Sequence, residues 1–111
     1  MSLDVYLSAL DMDGNHHGAY EANITHNLNK MASEAGIYYA LCRPEERGFK
    51  HARDIVPLLE VGLADMKARP DHYRQFDASN GWGTYDQFVP WIERYLGACK
   101  QYPSAEISVS R

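Results

Sequence analysis

The stretch Tyr20-Glu21-Ala22-Asn23-Ile24-Thr25-His26-Asn27-Leu28-Asn29-Lys30-Met31-Ala32 changes its period in the middle. Up to Ile24 the apolar side chains Tyr20, Ala22 and Ile24 alternate with Glu21 and Asn23, the pattern of a strand with one buried face. From residue 26 onward Leu28, Met31, Ala32 and Ala35 fall at helical spacing, and Gly36 supplies a stop. Thr25 or Asn27 can cap the helix start. A strand that hands directly to a helix, once and without repetition, points to an α+β chain rather than an alternating α/β one.

Upstream, Leu3, Val5 and Leu7 alternate with Asp4, Tyr6 and Ser8, so residues 3–10 read as a first strand. Asp11-Met12-Asp13-Gly14-Asn15-His16-His17-Gly18 is dense in turn formers and reads as the loop of a hairpin. Downstream, Ile37 to Leu41 reads as a short helix closed by Arg43-Pro44. Residues 50–69 form a longer helix with Val56, Leu59, Leu63 and Met66 on one stripe and Ile55 beside it. Asp54 is the expected cap there, with Pro57 in the first turn, and Pro70 closes the block. Asp77 to Gly83 is a loop. Thr84 and Gln87 make a capping box for a last helix. Its Phe88, Trp91, Ile92, Tyr95, Leu96 and Cys99 define a wide apolar face, and Pro90 bends it. Residues 105–109 alternate again and give a C-terminal strand. The expected fold is a small antiparallel sheet, the N-terminal hairpin plus the C-terminal strand, with three to four helices packed on one face. Residues 1–111 form a single domain.

Composition limits the function classes. A hydrophobic fraction of 45% is ordinary for a folded domain. No apolar run is long enough to span a membrane, and no basic, apolar, small-residue leader opens the chain, so a cytoplasmic location is expected. A net charge of −4 and a pI near 5.6 argue against non-specific nucleic-acid binding. Cys42 and Cys99 belong to no CxxC pair and read as buried apolar residues. No metal site is expected. His16-His17 with Asp11 and Asp13 would bind a cation only adventitiously, glycine comes too early for an EF-hand loop, and His51 and His72 lack a ligand at i+4. No cofactor motif is present.

Three clusters carry potential chemistry. Asn23-Ile24-Thr25-His26-Asn27-Leu28-Asn29 concentrates polar groups at a helix start, where free N–H groups favour anions. Arg43-Pro44-Glu45-Glu46-Arg47 offers an anion clamp in Arg43, or merely a turn with local ion pairs. Asn80-Gly81-Trp82-Gly83-Thr84-Tyr85 holds an indole between two glycines, suited either to stacking on a ligand or to covering the core.

These motifs, with Ser2-Leu3-Asp4-Val5-Tyr6-Leu7 and Ala35-Gly36-Ile37-Tyr38, resemble small proteins encoded by phages, prophages and some bacteria. The resemblance runs from Ser2 to Arg111. It implies a compact stand-alone protein, a phage accessory factor, and carries over no catalytic residue. From the residues themselves the expectation is a small non-catalytic binding module for an anionic or nucleotide-like ligand, with Thr25, His26, Asn27, Arg43, Trp82 and Tyr85 as contacts. One alternative is an inhibitor or adaptor that contacts a host macromolecule through exposed Trp82, Tyr85, Tyr38 and Tyr39. Another is a small hydrolase using His26 as base with Glu45 or Glu46, although no nucleophile, metal set or oxyanion motif accompanies the histidine.

Overall fold

The computed structural model describes all residues except Met1, Asp11 and Met12, and the backbone alone at Leu10 and His16. Asp11, a member of the adventitious cation set, therefore lies outside the described residues, as does the Asp11-Met12 start of the expected loop.

Strand β1 (Ser2–Leu10) is central, with β2 (His16–Thr25) on one side and β3 (Glu106–Ser110) on the other, both antiparallel to it. This is the expected α+β architecture. Leu3, Val5 and Leu7 are buried, whereas Asp4, Tyr6 and Ser8 are only half-buried on the opposite face. Their partners follow the same alternation: Leu3 pairs with Ile24, Val5 with Ala22 and Val109, and Leu7 with Tyr20 and Ile107. A bulge between Leu7 and Ser8 leaves Ala19 unopposed, since Leu7 pairs with Tyr20 and Ser8 with Gly18. The expected loop through Gly18 is corrected here. His16, His17 and Gly18 pair with Leu10, Ala9 and Ser8, because ladder hydrogen bonds outweigh the turn preference of these side chains.

After β2 the chain makes a 3-10 turn, His26–Leu28, before α1 (Asn29–Glu34). Then come α2 (Tyr38–Cys42), a second 3-10 turn at Pro44–Arg47, α3 (Ala52–Ala68), α4 (Pro70–Arg74) and α5 (Tyr85–Gln101). Two starts differ from expectation. The N-cap of α3 is His51, and Asp54 sits three residues on. Its Oδ2 accepts the N–H groups of both Lys50 and His51 at 3.0 Å, closing a reciprocal box. Pro57 consequently lies inside the helix rather than in its first turn. The buried stripe rotates with this earlier start: Ala52, Ile55, Leu59, Gly62, Leu63 and Met66 face the core, and Val56 is only half-buried. Gly62 is needed there, because a Cβ would run into Ile37 Cγ2 and stand 2.9 Å from the Ala35 carbonyl oxygen. α3 stops at its C-cap Arg69, before Pro70, as expected, but Pro70 also begins a further helix, α4, since proline suits a first helical position.

The capping box of α5 forms as expected, with Gln87 Oε1 accepting the Thr84 N–H at 3.2 Å. All six predicted apolar-face residues of α5 are buried. The Trp91 indole N–H donates to the Asn23 carbonyl at 3.0 Å, fastening α5 to β2. α3 and α5 are further joined by the ion pairs Lys67–Glu93 and Lys100–Glu60. No helix of the described residues is long and apolar enough to cross a membrane.

Candidate functional site

Two of the three sequence clusters meet in space. The Thr25 hydroxyl accepts the Asn27 N–H at 3.3 Å and so caps the 3-10 turn. The Asn27 side-chain amide then donates to the Trp82 carbonyl oxygen at 2.8 Å. Gly83 packs into the same turn at φ +107°, and a Cβ on it would stand 3.0 Å from Thr25 Cγ2 and 3.1 Å from Asn27 Cβ. Only glycine combines that backbone angle with that approach.

The loop carrying Trp82 is held at each backbone polar atom from Gly81 to Gly83. Gly81 N–H donates to Ala78 O, and Gly81 O accepts from Gln87 Nε2. Trp82 N–H donates to Asn80 Oδ1 at 3.0 Å, and its carbonyl accepts from Asn27. Gly83 N–H donates to Gln87 Oε1, and Gly83 O accepts from Ala78 N–H. Six backbone groups are therefore satisfied, yet the Trp82 side chain is 71% exposed. The capping glutamine of α5 serves both the helix and the loop.

The indole borders an open groove of about 1100 Å³. Thr25, Asn27 and Asn80 line one part, and Pro90, Trp91 and Arg94 of α5 line another. Arg94 is exposed, and its guanidinium lies beside the Tyr20 hydroxyl. Across the Asn27–Asn80 ridge lies a second hollow of about 520 Å³, lined by His26, Lys30 and Ser79 among others. His26 Nε2 is shut off from solvent and has no hydrogen-bond partner among the described residues.

The other predicted contacts fall elsewhere. Tyr85 is 7% exposed, which corrects the expectation of an exposed anchor. Its hydroxyl donates to Met66 O at 2.9 Å, and the Arg74 guanidinium sits 4.7 Å above its ring. Being the first residue of α5, it turns inward with the apolar face of that helix. Arg43 lines neither the groove nor the hollow. It donates to the Tyr38 hydroxyl at 3.1 Å and to Glu46 at 2.7 Å, and both partners raise its pKa. Glu45 pairs with Arg111, which holds its carboxyl below the usual range. Neither Glu45 nor Glu46 lines the hollow of His26. Tyr39 is exposed, under the Arg47 guanidinium at 4.0 Å.

The helix starts are largely taken up by the protein itself. The Asp77 carboxylate accepts the Tyr85 N–H at 2.7 Å at the beginning of α5. At α3, Ala52 and Arg53 donate to the carbonyls of Ala105 and Pro103. An anion at this site must therefore be met by side chains. Arg94 and Lys30 are the residues that sequence reasoning missed. Arg94 follows Gln87 and Pro90 along one face of α5, and Lys30 follows His26 by one helical turn, so spacing alone could have grouped them. Among the described residues, no three His, Cys, Asp or Glu come together as a metal set.

No family model, no curated protein and no solved structure matches this chain.

Proposed function

We propose that the protein is a non-catalytic binding module that holds a small anionic, nucleotide-like ligand against Trp82. The observation that carries this reading is the contrast between an exposed indole and the fully hydrogen-bonded backbone beneath it. A large apolar side chain left in water on a fixed support has lost its backbone freedom before any ligand arrives, which lowers the cost of binding. An indole face stacks on any planar ring. Asn27 and Asn80 flank it with amide groups able to pair with a heteroatom edge, and Lys30 in the adjoining hollow offers an ammonium to an anion. The groove is of a size that takes a nucleotide.

The test is a titration with nucleosides and nucleoside phosphates, followed by tryptophan fluorescence and thermal unfolding. At least one should quench the exposed indole and raise the unfolding temperature, and Trp82→Ala should abolish both effects while the fold persists. A flat response across the panel overturns the reading. The phage-type accessory factor that contacts a host macromolecule draws on the same exposed indole. A flat titration together with a stoichiometric host protein retained through gentle purification would support that reading instead.

A further inference from the structure

We infer that the ligand is a phosphomonoester, and that its phosphate sits in the hollow of His26, Lys30 and Ser79 while its ring lies on Trp82. The inference rests on the Trp82 reading and adds to it the location and charge of the second half of the ligand. Two observations lead there. The hollow and the Trp82 groove share Asn27 and Asn80, so a ligand stacked on the indole needs only to cross this ridge to enter the hollow. The hollow also contains what a phosphate requires and what the protein leaves unused. Lys30 is exposed and forms no ion pair among the described residues, unlike Arg43, Arg69, Arg74 and Arg111, each of which has a carboxylate partner. Ser79 and Asn29 also line the hollow, whereas the Nε2 of His26, shut off from solvent, is out of a ligand's reach. Among the described residues no Asp or Glu lines the hollow. The Trp82 groove, by contrast, is lined by Asp86 as well as Arg94, and Arg94 already faces the Tyr20 hydroxyl. An ammonium left without a carboxylate partner among the described residues suits a compact, doubly charged group better than it suits a neutral sugar or base.

The experiment compares each of the four nucleosides with its 5′-monophosphate, by calorimetry and by quenching of Trp82, in the intact protein and in Lys30→Ala and Arg94→Ala. A monophosphate should bind at least about tenfold more tightly than its nucleoside, and Lys30→Ala should bring it down to the affinity of the nucleoside. Arg94→Ala should preserve the monophosphate advantage. If the advantage survives Lys30→Ala and disappears in Arg94→Ala, the phosphate sits in the Trp82 groove and the inference fails while the Trp82 reading stands. The inference fails in the same way if nucleosides bind and the phosphate adds nothing. If neither nucleosides nor monophosphates affect Trp82, both fall together.

Discussion

The side-chain amide of Asn27 donates a 2.8 Å hydrogen bond to the carbonyl oxygen of Trp82, so that the turn after β2 and the loop before α5 behave as one piece. The bond tethers the loop from outside it, whereas Asn80 and Gln87 belong to its own stretch of chain. Asn27→Ala should cost only about 1 kcal/mol of global stability, the ordinary worth of one hydrogen bond. Its larger effect should be local. Fluorescence anisotropy of Trp82, recorded against Trp91→Phe to remove the buried indole, should fall, and ligand affinity should fall with it.

The glycines on either side of Trp82 should not be equivalent. Gly81 has a left-handed φ of +77° and open space where a Cβ would go. Gly81→Ala should therefore cost about 1–2 kcal/mol, the strain of that conformation alone. Gly83→Ala adds collisions with Thr25 and Asn27, and should cost about 2–4 kcal/mol. Chemical denaturation of the two variants decides it, and equal losses would mean that the Thr25–Asn27 turn yields without resistance.

Three core tyrosines should respond differently to loss of the hydroxyl. Tyr95 is fully buried, stacks on Tyr20 at 5.9 Å, and has a hydroxyl with no partner among the described residues; burial raises its pKa far above the usual value. Tyr95→Phe should leave the unfolding temperature unchanged or raise it, because an unsatisfied buried hydroxyl costs about 1–3 kcal/mol. Tyr85→Phe should lose about 1 kcal/mol with the bond to Met66 O. Tyr73→Phe should lose at least as much, since its hydroxyl donates to the Asp65 carboxylate. Calorimetric scans of the three variants test the order.

Both thiols should be silent in the native state. Burial pushes Cys42 up to about 11 and Cys99 up to about 12, so that neither is a thiolate near neutral pH. Alkylation followed by mass spectrometry should show no labelling of folded protein at pH 8 and two labels in denaturant. Rapid native labelling of either would show that α2 or α5 opens locally.

Acid should destabilise the fold in a window set by its paired carboxylates. The Arg69 guanidinium and then the Tyr73 hydroxyl hold Asp65 at about 2, and the N–H groups of His51 and Lys50 hold Asp54 below its usual range. A carboxyl whose folded pKa is depressed adds stability above its unfolded value and loses it as pH falls through the folded one. Urea midpoints should therefore decline from about pH 4 down to pH 2, with only a modest share from the exposed Asp65–Arg69 pair. Asp54→Asn should lower the plateau at neutral pH and flatten the decline.

The sheet and α5 were legible in the sequence because each rests on a strict period: alternation in Leu3, Val5 and Leu7, and helical spacing from Phe88 to Cys99. The start of α3 was not, because its cap, His51, is not a usual capping residue, and the telling contacts come from carbonyls of Pro103 and Ala105 far along the chain. Position along the chain placed Tyr85 beside Trp82, but Tyr85 is the first residue of α5 and is buried with its apolar face, whereas Trp82 lies in the preceding loop and stays outside. The meeting of Asn27 with Trp82 depends on a side-chain bond between residues 55 apart in the chain, which no local pattern records. Arg43 looked available because its neighbours are apolar, yet Tyr38 and Glu46 lie within reach on adjoining turns.

The hydrogen-bonded loop around Trp82 also bears on how this protein ages. Asn80 is followed by Gly81, the pairing most prone to spontaneous deamidation, in which the glycine nitrogen attacks the asparagine side-chain carbon, closes a five-membered imide and expels ammonia. In the folded loop that nitrogen donates its N–H to Ala78 O, and the side chain of Asn80 is fixed by the Trp82 N–H, which its amide oxygen accepts. Closing the imide requires the Gly81 nitrogen and the Asn80 side chain both to leave these positions, and the chemical lifetime of Asn80 becomes a clock that runs mainly while the loop is open. Any change that loosens the loop shortens the shelf life of the site it carries.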